Sequence, residues 1–103
     1  MDSILNIERL VAEGSLHEAI DLLDDMLAER VAGGIPETDT EEARIVADLY
    51  FRRGKLSWRL GQRAAATSDY AKASDLDSTS PAIKALEQAR AVADFFNPDL
   101  YNP

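Results

Sequence analysis

The stretch Tyr50-Phe51-Arg52-Arg53-Gly54-Lys55-Leu56-Ser57-Trp58-Arg59-Leu60-Gly61-Gln62-Arg63-Ala64-Ala65-Ala66-Thr67-Ser68-Asp69-Tyr70 decides the fold. Apolar residues around it recur at three- and four-residue steps, the period of one helix face. Ile45, Val46, Leu49, Tyr50, Leu56 and Leu60 form such a stripe, and Gly61 closes it. Glycine past the last periodic position ends a helix, because it takes φ > 0 without penalty. Gly54 lies inside the same helix, where it costs about 1 kcal/mol against Ala. A glycine kept there marks the close approach of another helix. That helix follows at once, over 62–75, with Ala66, Tyr70 and Ala73 on its inner face. The stretch predicts an antiparallel helical hairpin.

The same punctuation occurs upstream. Ile4, Ile7, Leu10 and Val11 make a short stripe that stops at Gly14. Ser15 and Glu18 read as a capping box, each side chain satisfying the other's free backbone donor. Leu16, Ala19, Ile20, Leu23, Met26 and Leu27 then form the face of a second helix ending near Arg30. Gly14, Ala19, Leu23 and Met26 precede Gly61, Ala66, Tyr70 and Ala73 by a constant 47 residues, an internal repeat. Gly33-Gly34-Ile35-Pro36 reads as a loop, and residues 38–42 offer several helix caps and first-turn acids. Downstream, Ser80 caps a fifth helix that has Pro81 at its first position. Ile83, Leu86, Ala89, Ala93 and Phe96 are its expected stripe, and Asn97-Pro98 stops it. The expected class is all-α, with five helices stacked as antiparallel hairpins. One domain spans 1–103: a first repeat over about 1–30, a loop over 31–39 and a second repeat over about 40–77. A capping helix over 80–97 and a tail over 98–103 complete it.

Composition agrees and narrows the function. The chain has 103 residues, 46% of them hydrophobic, enough for one real core. It contains no cysteine and one histidine. A disulfide scaffold, a thiolate site and a cysteine nucleophile are thereby excluded, and a histidine-based metal site or triad is disfavoured. No cofactor or metal is expected. The net charge of −8 argues against nucleic acid as a partner. The start, Met1-Asp2-Ser3-Ile4-Leu5, is acidic where a leader would be basic. No apolar run approaches the length of a membrane span. The expectation is a cytoplasmic protein with no membrane partner.

The residues of the second hairpin resemble the tetratricopeptide repeat family. Tyr50, Gly54, Gly61, Ala66, Tyr70 and Ala73 fall where that 34-residue motif places an aromatic, a small residue, a helix-ending glycine, a small residue, an aromatic and alanine. Leu76-Asp77 matches its ending. The resemblance covers about residues 47–77. The chain departs from the pattern at Ser78 in place of the closing proline, at Arg53 in place of an inner leucine, and at Ser57 in place of an aromatic. It implies an αα superhelix and a protein-binding role, with two repeats closed by a polar cap.

Charge is distributed unevenly along this frame. Residues 1–42 carry −10, residues 43–68 carry +5 and residues 69–103 carry −3. The basic segment is the first helix of the second hairpin. In the resembled family the matching helix lines a concave peptide groove. The groove positions here would be Asp48, Phe51, Lys55, Trp58 and Arg59, with Ile4, Glu8 and Val11 in the first repeat. Phe51, Lys55 and Trp58 share one helix face. The aromatic face beside Lys55 and Arg59 suits a peptide with an acidic group or a free C-terminal carboxylate. Phe51, Lys55, Trp58 and Arg59 are the candidate binding residues, and the expected partner is an acidic protein or peptide. A plainer reading pairs Arg52, Arg53 and Arg63 with Asp21, Asp24 and Asp25 and puts Trp58 in the core. An alternative function is a homodimer, in which basic helix 44–60 meets the acidic hairpin of a second copy.

The remaining features carry less. Asp24-Asp25 and Glu41-Glu42 are adjacent pairs whose side chains point apart on a helix. Asp75-Leu76-Asp77 lacks the rest of a calcium loop, and His17 stands alone on the surface. No phosphate loop, dinucleotide fingerprint or nucleophile elbow is present, so a non-catalytic protein is expected. The segment after Phe95 has two readings: Phe96 closes the core and the rest packs on the capping helix, or Leu100 and Tyr101 dock into a groove of the same chain or of a second molecule.

Overall fold

The computed structural model describes residues 3–95. It contains five helices: α1 (Ser3–Ala12), α2 (Leu16–Val31), α3 (Glu41–Arg59), α4 (Arg63–Leu76) and α5 (Ala82–Phe95). Each helix packs mainly on its neighbour in sequence, most extensively α3 on α4. The Cα radius of gyration is 14.7 Å, against about 13 Å for a compact domain of 100 residues. The difference reflects a row of hairpins in place of a closed bundle. Among the described residues, no helix is long and apolar enough to cross a membrane.

The two hairpins turn in the same way. At Gly14, φ is +80°, its N–H donates to the Val11 carbonyl, and the Ser15 N–H donates to the Leu10 carbonyl. At Gly61, φ is +79°, its N–H donates to the Trp58 carbonyl, and the Gln62 N–H donates to the Ser57 carbonyl. Both are Schellman turns, which satisfy the last carbonyls of one helix and reverse the chain. The donors and acceptors correspond at the 47-residue offset, so the repeat extends to the backbone hydrogen bonds. The turn also corrects the expected capping box. The Ser15 N–H is already committed to Leu10, and the Ser15 side chain makes no cap hydrogen bond.

Antiparallel packing follows from which residues meet. Arg30 of α2 bonds Glu42 at the start of α3, and Asp24, earlier in α2, bonds Arg53 further along. Gly54 of α3 faces Ala66 and Tyr70 of α4. A Cβ on Gly54 would lie 2.7 Å from Tyr70 Cε1 and 3.3 Å from the Ala66 carbonyl oxygen. The missing side chain sets this helix separation. Alternate helices run parallel: Ile4 of α1 shares a cavity with Ile45 and Leu49 of α3, while Val11 lies beside Leu56 and Arg59. The core follows the row, from Ile7, Leu23 and Leu27 through Val46, Leu49 and Tyr50 to Tyr70, Ala73 and Leu86.

The loop before α3 fastens onto the end of α4. Thr40 caps α3, its Oγ1 accepting from the Ala43 N–H at 3.1 Å. Asp39 adopts φ +63° and donates its N–H to the Leu76 carbonyl. Its carboxylate accepts from the Ser78 N–H at 2.8 Å and from the Ser78 hydroxyl at 3.0 Å. These bonds lower the Asp39 pKa below the ordinary carboxylate value.

In α5 the buried stripe is Ala82, Leu86 and Ala89. The expected Ile83 and Ala93 are exposed, Ile83 by 37%. Only α4 packs extensively against α5, so the buried strip is narrow. Ser80 is buried, and its Oγ accepts from the Ala82 N–H at 3.0 Å. Phe96 and the tail from Asn97, including Leu100 and Tyr101, lie outside the described residues.

Candidate functional site

Helices α1, α3 and α5 share one side of the row, and α3 is its crest. A cleft of about 510 Å³ separates α3 from α5. Phe51, Lys55 and Trp58 form one wall, Lys84 and Gln88 belong to the other, and Tyr70 of α4 lies between. A second cleft of about 460 Å³ separates α3 from α1. It is lined by Arg52, Lys55 and Arg59 on α3 and by Ile7, Glu8 and Val11 on α1.

The helical period explains the division. Residues 51, 55 and 58 form one row along α3, and residues 52, 55 and 59 form the next. Lys55 belongs to both. The candidate residues are therefore brought to one crest but divided between two clefts. Phe51, Lys55 and Trp58 line the α5 side, and Arg59 lines the α1 side together with Lys55. Glu8 and Val11 reach the second cleft as expected. Ile4 and Asp48 instead line a cavity with Met26, Arg30 and Ile45.

Aromatic and cationic side chains organise the first cleft. Lys55 Nζ lies 4.9 Å from the Phe51 ring centroid, and the Arg63 guanidinium lies 5.4 Å from that of Trp58. Phe51 and Tyr70 are tilted rings 5.9 Å apart. Trp58 is half-buried, with part of its ring on the cleft wall. Lys55, Arg59 and Lys84 are exposed and make no ion pair among the described residues. Lys55, over an aromatic face and without a counter-ion among the described residues, can meet a carboxylate with little rearrangement.

Beneath the crest Arg53 forms a polar clip, whose contact with Asp69 is not among the pairs expected from the sequence. Arg53 donates Nε and Nη2 to the two oxygens of Asp69, both at 2.8 Å, and Nη1 to Asp24 at 2.9 Å. Its guanidinium also lies 5.5 Å from the Tyr50 ring centroid. Asp69 is only 4% exposed. Its bond to Arg53, opposed by burial, raises the Arg53 pKa above the ordinary guanidinium value. Burial, with a smaller contribution from Asp69, raises the Tyr70 pKa. Of the expected arginine–aspartate pairs across helices, Arg53–Asp24 forms. Arg52 instead bonds Asp48 one turn away, and Arg63 stacks on Trp58. The available signal was Arg53 at an inner leucine position, with Asp69 directly before the inner Tyr70.

The described residues hold no convergent set of three metal-ligating side chains. Comparison with protein-family models, with curated proteins and with solved structures returned no match.

Proposed function

We propose that this protein is a non-catalytic interaction module of the tetratricopeptide kind, which binds an acidic or C-terminal peptide of a partner protein over the crest of α3. The observation that carries this reading is the first cleft. Phe51 and Trp58 offer an apolar wall there, and Lys55 and Lys84 at its edge have no counter-ion among the described residues. Aromatic side chains are enriched where proteins bind one another. Two hairpins with an added helix also fit the logic of repeat arrays, in which a terminal helix closes the core and leaves a polar outer face. A cytoplasmic setting is part of the proposal. The test is a double substitution, Lys55→Glu with Arg59→Glu. It should abolish recovery of a partner by the intact protein while circular dichroism stays unchanged. Retained recovery by the folded variant rejects the reading.

A second reading is self-association. Glu18, Asp21, Asp25 and Glu29 are all exposed along α2, one acidic stripe at helical spacing. The basic crest of another copy would complement it. Light scattering across protein and salt concentrations separates the two readings. A monomer under every condition removes the second.

A further inference from the structure

We propose that the two clefts beside α3 act together as one bipartite site. An acidic peptide would cross the helix, placing a bulky apolar side chain in the α3–α5 cleft and an acidic side chain in the α1–α3 cleft. The inference rests on the peptide-binding reading above and adds the ligand's pattern and register.

The chemistry of the two clefts assigns the two anchors. Phe51 and Trp58 form the α3 wall of the first cleft, Tyr70 lies between, and Ala85 and Val92 line it from α5. Away from Lys55 and Lys84 at the edge of the cleft, a carboxylate among those groups would lose its water against apolar surface. A leucine-sized side chain there removes apolar area from water. The second cleft has no aromatic side chain in its lining and carries two guanidinium groups. Arg52, Lys55 and Arg59 face a single carboxylate, Glu8. Arg52 is engaged by Asp48 at 2.8 Å, which leaves Arg59 and Lys55 as the groups available to an incoming acid. Guanidinium binds carboxylate through parallel hydrogen bonds, so Arg59 is the directional member.

Lys55 connects the two halves. It lines both clefts, with its ammonium over the Phe51 ring. A peptide backbone crossing the crest would pass beside it. The crossing also sets a spacing. A helix with its side chains is about 10–12 Å across, and an extended chain advances about 3.3 Å per residue. The apolar and acidic anchors are therefore about three residues apart in the ligand.

The test uses the full chain and its own reporter. Trp58 is the sole tryptophan and lines the first cleft. The probes are short peptides, capped at both ends, with one leucine and one pair of glutamates in a glycine–serine background. The separation is about one, three or six residues, in both orders. Trp58 emission and calorimetry are read for each peptide. A separation of three should bind about tenfold more tightly than the others in at least one order. Arg59→Glu should erase that preference, and Arg59→Lys, which keeps the charge without the paired donors, should weaken it without erasing it. Equal affinity at every spacing overturns the bipartite site and leaves the interaction reading standing. A preference that survives Arg59→Glu also overturns it. No binding of any peptide by calorimetry overturns both.

Discussion

Arg53 and Asp69 face each other across the α3–α4 contact through two parallel hydrogen bonds of 2.8 Å. Asp69 is almost wholly buried, and the remaining Arg53 nitrogen reaches Asp24 on α2. One side chain thus ties together three successive helices. Removing it strands a buried carboxylate. Arg53→Leu should cost about 3–5 kcal/mol, the usual penalty for an unpaired buried charge. Adding Asp69→Leu should restore much of that loss, because a well-packed apolar pair often replaces a buried ion pair without penalty. Asp24 is half-exposed, and Asp24→Asn should cost no more than about 1 kcal/mol. Urea unfolding of the four proteins checks the pattern. Equal losses for Arg53→Leu and Asp24→Asn would contradict it.

Gly54 behaves unlike an ordinary helix glycine. At an exposed site Gly→Ala stabilises a helix by about 1 kcal/mol. Here the new methyl would meet the Tyr70 ring at 2.7 Å and the Ala66 carbonyl oxygen at 3.3 Å. Tyr70 is buried and lies against the tilted Phe51 ring, so it has little room to yield. Gly54→Ala should destabilise by about 1–3 kcal/mol, a fall of several degrees or more in Tm. A raised Tm would show that α3 and α4 are not held at this separation.

Asp39 links stability to acid. Its carboxylate accepts from Ser78, so its pKa in the folded chain is lowered. A lowered acid contributes stability above its unfolded pKa of about 3.9 and loses it as pH falls through the folded value. Asp39→Asn keeps a residue that tolerates φ +63° but removes the charge. The variant should be less stable than the parent at pH 7, and the gap should close as pH falls below about 4. Denaturant titrations at several pH values measure it. A gap independent of pH would mean that the charge contributes nothing.

Lys55 and Arg59 are exposed, and neither makes an ion pair among the described residues. The double change to Glu should therefore alter stability by no more than about 1 kcal/mol. Its urea midpoint should match the parent while partner recovery is lost. A large fall in the midpoint would assign the pair to folding.

Much of the hairpin architecture was legible because it depends on local rules. Gly14 and Gly61 mark reversals of the chain, and no other residue type takes φ near +80° as readily. The apolar steps of α2, α3 and α4 identify their buried faces, since a helix has only one side to turn inward. The stripe of α5 was misread by a residue at its start. Its apolar positions are compatible with more than one rotation, and contact with α4 selected Ala82 over Ile83. The cap at Ser15 was misread for a related reason. Its backbone donor had a competing partner in Leu10 that only the turn brings near.

The candidate site divides along the same line. The order of amino acids already puts Phe51, Lys55 and Trp58 on one helix face, because spacing alone places them there. It also determined that the acidic average of −8 conceals one basic helix. Packing between helices, in contrast, assigns Arg59 to a different cleft from Trp58 and turns Arg53 inward to Asp69. The physical reason is that helical period orders residues around one axis, whereas clefts and ion pairs depend on which neighbours lie on either side. Those neighbours are α1, α2, α4 and α5, and their placement is set by packing around Gly54, Tyr70 and the two glycine turns.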